Sequence, residues 1–138
     1  MYAGWAFVDV DGTLIDANDN PRPFIRELFY GLKHENLILV VWSGGGRVYA
    51  ENQVRKLGEE IYNLVDEFRW KGTPVAWNHI RPVFFIDDSE FIEEEHNVAK
   101  EAVFRVPFYN KDTAVNDEWL LRALHSAQTF YEYQGKEK

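Results

Sequence analysis

A mostly parallel α/β sheet covered by helices on both faces is the fold class predicted for this chain of 138 residues, and three observations predict it. Short apolar runs recur at residues 5–10, at Leu37 to Trp42 and at Val83 to Ile86, too continuous for strands with one face in water. Helical periodicity fills the intervals between them, the pattern of βαβ units. Each run also ends in a polar signature: Asp9-Val10-Asp11-Gly12-Thr13, Ser43-Gly44-Gly45-Gly46 and Asp87-Asp88. In a parallel sheet the carboxyl ends of the strands share one edge, where such folds place their ligands.

The elements follow in order. After the first strand, Ile25, Leu28, Phe29 and Leu32 fall at i, i+3, i+4 and i+7 and predict a helix over 23–35, with Pro23 near its start and Asn36 as its break. A second helix follows Gly46, carrying Ala50, Val54, Leu57 and Ile61 on one side. Ser89 is placed to cap a helix running to about Lys100, whose glutamates at 90 and 93–95 suit a positive helix N-terminus. Ala102 to Val106 reads as a fourth strand. Asn116 or Asp117 opens a last helix with Leu120, Ala123, Leu124, Ala127 and Tyr131 on one face, and the tail from Gln134 is expected to fray. Tyr62 to Pro82 has no readable periodicity.

Composition bounds the function. The length suits one domain over 1–138, and 46% hydrophobic residues supply a core without staples. With no cysteine, disulfides, thiolate metal sites and a cysteine nucleophile are excluded. No apolar run approaches the ~20 residues of a membrane helix and no leader precedes the first strand, so the chain reads as cytoplasmic with no membrane partner. A net charge of −8 opposes broad affinity for nucleic acid.

The chemistry gathers at the strand ends. In an extended strand residues i and i+2 share a face, so Asp9 and Asp11 emerge together. Two adjacent carboxylates repel unless a cation or a shared proton compensates them. Four carboxylates, two hydroxyls and a glycine turn entering a helix would meet at one edge. Hard oxygen ligands suit Mg²⁺, and amides at a glycine turn suit a phosphate. The constellation reads as metal-assisted phosphoryl transfer.

On these residues the chain resembles the haloacid dehalogenase superfamily of aspartate-nucleophile phosphohydrolases. The resemblance runs from Phe7 to about Pro107 and rests on the hydrophobic strand with Asp9-x-Asp11-Gly12-Thr13-Leu14, on Ser43 after an apolar strand, and on Phe84-Phe85-Ile86-Asp87-Asp88-Ser89. It implies a three-layer, Rossmann-like α/β/α fold and hydrolysis of a phosphomonoester through an aspartyl-phosphate. Asp9 would be the nucleophile, and Asp11 the acid and then the base. Mg²⁺ would be held by the Asp9 carboxylate, the Asp11 carbonyl and Asp88, with Asp87 ligating or steering the lysine and outer water. Ser43 and Gly44 would hold the phosphoryl oxygens, Thr13 would support the first loop, and Arg47 could touch substrate or lie solvated. Lys71 is the choice for the lysine that neutralises nucleophile and phosphate; with only 16 positions from it to Asp87, Lys56 and Arg81 stay as alternatives.

Thirty-two positions separate Asp11 from Ser43 and 28 separate Ser43 from Lys71, leaving no room for a cap domain. Similar capless proteins have an open site and act on macromolecular ends or phosphoproteins, or close the site through an oligomer; the substrate expected here is a phosphomonoester, on a small molecule or a macromolecular end. The paired acids without a cap are also similar to the polynucleotide 3′-phosphatase branch, although the acidic charge weakens that transfer. A reading from another class is a phosphate-responsive signalling module, yet such modules usually carry the acid pair first and the phosphorylated aspartate centrally.

Other features read as structural. Tyr49 stands where a dinucleotide-binding Gly-x-Gly-x-x-Gly needs its third glycine. His34, His79, His96 and His125 lack metal-ligand spacing. Trp5, Trp42, Trp70, Trp77 and Trp119 read as core rather than as base-stacking surfaces, although Trp70 and Trp77 flank the proposed site. Loops 16–21 and 71–81 would shape specificity.

Overall fold

Residues 2–72, 80–90 and 92–136 are described by a computed structural model. The expected residues Trp77 and His79, and most of the 71–81 loop, lie outside the described residues. Five parallel strands, β1 (Gly4–Asp9), β2 (Leu37–Ser43), β3 (Glu67–Trp70), β4 (Val83–Asp87) and β5 (Val103–Arg105), form one sheet in the order β3-β2-β1-β4-β5. From β1 the chain winds outward to β2 and β3, then returns to the other side of β1 for β4 and β5. The reversal of direction lies between β1 and β4, the crevice where open α/β sheets bind ligands.

The helices are α1 (Ile25–His34), α2 (Arg47–Arg55), α3 (Glu59–Tyr62), α4 (Ile92–His96) and α5 (Trp119–Lys136), with a 3-10 turn at Lys100–Ala102. Strand alternation divides the core. Ala6, Val8, Leu39, Val41, Phe84 and Ile86 face α1, α2 and α5, while Phe7, Val40, Trp42, Val83 and Phe85 face the α4 side with Ile80 and Ile92. Helices therefore cover both faces, a Rossmann-like arrangement in which the three apolar runs are the three central strands.

Several expectations change. The helix after Gly46 is two helices, because Gly58 takes a φ of +114°, a left-handed value that breaks the turn between α2 and α3. The helix expected from Ser89 to about Lys100 is only the short α4: Ser89 spends its backbone N–H on Asp87 Oδ1 at 3.0 Å, and Asn97 reverses the chain with a φ of +51°. The last helix reaches Lys136 rather than fraying from Gln134. Strand β3 lies where no periodicity was readable. Trp70 is 51% exposed, not core, whereas Trp42 is fully buried. His96 stacks on Phe85 and lies tilted against Trp42, with burial lowering its pKa.

The loop after β1 is held by a buried carboxylate. Asp16 accepts the backbone N–H groups of Asn18 and Asn20 at 2.9 Å and that of Lys111 at 3.0 Å, joining the first loop to the segment after β5. Burial alone would raise the Asp16 pKa, but these donors hold it at about 2 against an ordinary 3.8. A depressed carboxylate pKa contributes stability that is complete above the unfolded value and is lost as pH falls through the folded one. The melting temperature of the wild type should therefore exceed that of Asp16→Ala by several degrees at neutral pH. This gap should narrow between about pH 4 and pH 2, as thermal melts across that range would record.

Candidate functional site

Alternation along the strands places the site. Trp5, Phe7 and Asp9 on β1, Val83, Phe85 and Asp87 on β4, and Arg69 followed by Lys71 beyond β3 all point to the α4 side. The rings of Phe7, Trp42 and Phe85 form an aromatic floor, with centroids 4.8 Å apart for Phe7 and Trp42 and 5.8 Å for Trp42 and Phe85. One register step above it stand Asp9, Asp87 and Lys71. Lys71 Nζ lies 2.8 Å from Asp9 Oδ1 and 2.7 Å from Asp87 Oδ2, and 5.8 Å from the centre of the Trp42 ring.

The electrostatics follow from two buried carboxylates sharing one ammonium. Burial raises the Asp9 pKa well above the carboxylate range, Asp87 raises it further, and Lys71 opposes both. Burial likewise raises Asp87 against the pull of Lys71. For Lys71, burial would lower the pKa, yet the two carboxylates outweigh it and hold the ammonium charged. With both carboxylates ionised, the trio carries one uncompensated negative charge in a poorly solvated place. Asp88 adds another carboxylate: oxygens of Asp9, Asp87 and Asp88 all lie within 4.8 Å of one another. An all-oxygen set with excess negative charge fits a hard divalent cation.

The remaining expected residues fall around this centre. Thr13 is buried and donates its hydroxyl to Asp9 Oδ2 at 3.0 Å, so the nucleophile candidate has both oxygens fixed. Ser43 is buried at the end of β2, where its Oγ accepts the Gly45 N–H at 3.0 Å and shapes the glycine turn. At Gly44 a side chain would meet nothing within 4 Å, which leaves the backbone approachable. The Asp11 carboxylate stays outside the acidic cluster, exposed, and accepts the Tyr49 hydroxyl at 2.6 Å. Arg47 lies on the first turn of α2 and lines a depression with Glu51 and Tyr62, so the structure does not bring it to the carboxylates. Lys56 pairs with Asp19 at 3.5 Å, and Arg81 precedes β4 at the opposite, amino edge of the sheet. Of Lys71, Lys56 and Arg81, it is Lys71 that meets Asp9.

Two groups at the site had no signal in residue spacing. Tyr49 stands where a dinucleotide motif would need its third glycine; its ring packs over Gly45, and burial followed by the Asp11 hydrogen bond pushes its pKa up to about 12. Phe108 borders Gly12 through a contact of long sequence separation. A mostly apolar groove of about 840 Å³ along α5, lined by Phe104, Leu121 and Phe130 among others, includes none of Asp9, Asp11, Asp87 and Asp88.

Gly12 is required by its surroundings. Its φ is +81°, and a methyl there would sit 2.5 Å from Asp88 Oδ2 and 2.4 Å from Phe108 Cδ2. Gly12→Ala is expected to lose about 1–2 kcal/mol of stability and to weaken divalent-cation binding by displacing Asp88. Chemical denaturation and calorimetric Mg²⁺ titration check the two parts.

Models of protein families give no match to this chain, and no curated protein matches it.

Proposed function

We propose that the protein is a Mg²⁺-dependent phosphomonoester hydrolase of the haloacid dehalogenase type, working through an aspartyl-phosphate on Asp9. The observation that carries this reading is the trio of buried Asp9 and Asp87 with half-buried Lys71 at the switch point of a parallel sheet, with Asp88 beside it. The resemblance of Asp9-x-Asp11-Gly12-Thr13 and Asp87-Asp88 to that superfamily's motifs supports it.

Asp9, Asp87 and Asp88, with the Asp11 carbonyl, would hold Mg²⁺, which when bound screens the phosphate charge from the anionic nucleophile. The chain's own residues supply the rest. Lys71 neutralises Asp9 and draws in the phosphoryl oxygens, while Thr13 fixes the second Asp9 oxygen. Ser43 and the open turn at Gly44 receive the other phosphoryl oxygens. An Asp9 oxygen forms a bond to phosphorus as the ester P–O bond breaks, and Asp11 gives its proton to the departing alkoxide. Water then attacks phosphorus, Asp11 takes its proton, the Asp9–phosphorus bond breaks, and inorganic phosphate leaves. The same carboxyl group serves as acid and then as base.

The test is phosphate release from sugar, nucleotide, phosphopeptide and oligonucleotide-end monoesters, with Mg²⁺ or with excess chelator. Turnover of at least one class that stops with chelator supports the reading. A folded protein that binds Mg²⁺ and turns over none of them refutes it.

A further inference from the structure

The wall of the site on the β4–β5 side carries an aromatic ring that the reaction does not use. Phe108 is 58% exposed although its segment is anchored on either side of it: Val106 is buried with its N–H on the Asp87 carbonyl at 2.9 Å, and Tyr109 is buried with its N–H on the Gly12 carbonyl at 2.8 Å. The same segment is tied to the first loop by the Lys111 N–H on Asp16. Isolated surface aromatics are ordinary. Phe108 differs because its backbone is pinned at three points to the loops that carry the carboxylates. Its ring edge and the Asp88 carboxylate both lie within 2.5 Å of the point where a Gly12 methyl would stand, so ring and carboxylate are within about 5 Å of each other.

On the opposite side, Trp70 is 51% exposed and pairs in register with Ser43, and the Lys71 N–H donates to the Ser43 carbonyl at 3.0 Å. The row of phosphoryl-binding groups is thus bordered at both ends by open aromatic rings. Among the described residues, Lys71 is held by Asp9 and Asp87, Arg22 by Asp117 and Arg105 by Glu93, so these cations are not free to form a track beside it. A polynucleotide backbone needs such a track, whereas a single planar group needs only a π-face.

We propose that Phe108 is a specificity-determining platform on which the base of a nucleoside monophosphate stacks while its phosphate occupies the Asp9 centre. This rests on the hydrolase reading and names its substrate class. Order in the pinned segment means that little conformational freedom is lost when the base settles.

The experiment compares a nucleoside 5′-monophosphate with ribose 5-phosphate, which share the leaving oxygen and differ by the base. Wild type, Phe108→Ala, Phe108→Leu and Phe108→Trp are assayed. Wild-type kcat/KM should favour the nucleotide by about tenfold or more, in the range of base–aromatic stacking. Phe108→Ala and Phe108→Leu should bring that ratio close to one by slowing the nucleotide alone, and Phe108→Trp should retain it. Equal efficiency on both esters in wild type, or an equal loss on both in the variants, overturns the proposal. So does preference for a 3′-phosphorylated oligonucleotide over the mononucleotide. The same two esters titrated calorimetrically with Mg²⁺ into Asp9→Asn, with and without Phe108→Ala, read stacking without turnover. If no ester is hydrolysed but the Kd ratio follows Phe108, the hydrolase reading fails and the platform stands; a Kd ratio of one removes the platform.

Discussion

Asp9→Asn should reduce Mg²⁺-dependent phosphate release by at least about 10⁴-fold while leaving the protein folded. The amide preserves volume and both heavy-atom positions, but it is a poor nucleophile and carries no charge for a cation or for Lys71. Folding should not suffer. In the wild type burial and Asp87 both oppose ionisation of Asp9, so the charge is held at a cost. Removing it leaves Lys71 paired with Asp87 in one-to-one balance. In metal-free buffer the variant should melt at or above the wild-type temperature. Phosphate-release assays and thermal melts on the same samples check both halves, and a variant that unfolds would not be evidence for a nucleophile.

The second large effect concerns stability. Arg22 is buried, its Nε lies 3.0 Å from Asp117 Oδ2, and its Nη1 donates to the Gly12 and Thr13 carbonyls at 3.2 and 3.3 Å. The guanidinium also lies over the Tyr109 ring, 5.3 Å from its centre. One side chain thus ties the loop after β1, the segment carrying Phe108, and the start of α5. Arg22→Met keeps much of the apolar stem but leaves Asp117 buried without its partner, which should cost about 3–5 kcal/mol. For a domain of this size that is a fall of roughly 10–15 °C in melting temperature. Arg22→Met combined with Asp117→Leu should recover most of the loss, because no buried charge is then unpaired. Urea denaturation of Arg22→Met, Asp117→Leu and the double variant measures the cycle; an additive double mutant would contradict the pairing.

How far residues alone reveal this molecule depends on the range of the interaction. Strands β1, β2 and β4 are legible because burial on both faces makes them continuous apolar runs, and their polar ends predict Asp9, Ser43 and Asp87 at one edge. Strand β3, Glu67-Phe68-Arg69-Trp70, is a four-residue edge strand with charged residues at alternate positions, so it leaves no apolar run. The helix expected after Ser89 has the right glutamates, but local propensity yields to the Asn97 turn that delivers the chain to β5. Lys71 follows β3 directly, which accounts for its short spacing to Asp87; its partnership with Asp9 depends on strand order, which periodicity does not encode. Tyr49, Arg22 and Phe108 reach the site through contacts between distant segments.

The most direct measurement is the location of the covalent phosphate. A ³²P-labelled monoester that the protein hydrolyses is mixed with it and Mg²⁺, quenched in acid within a turnover, and the digested protein is mapped for label. The expected result is a hydroxylamine-labile phosphate on the peptide containing Asp9, absent with chelator and absent in Asp9→Asn. Steady turnover with no label on that peptide, or label on another residue, would contradict it.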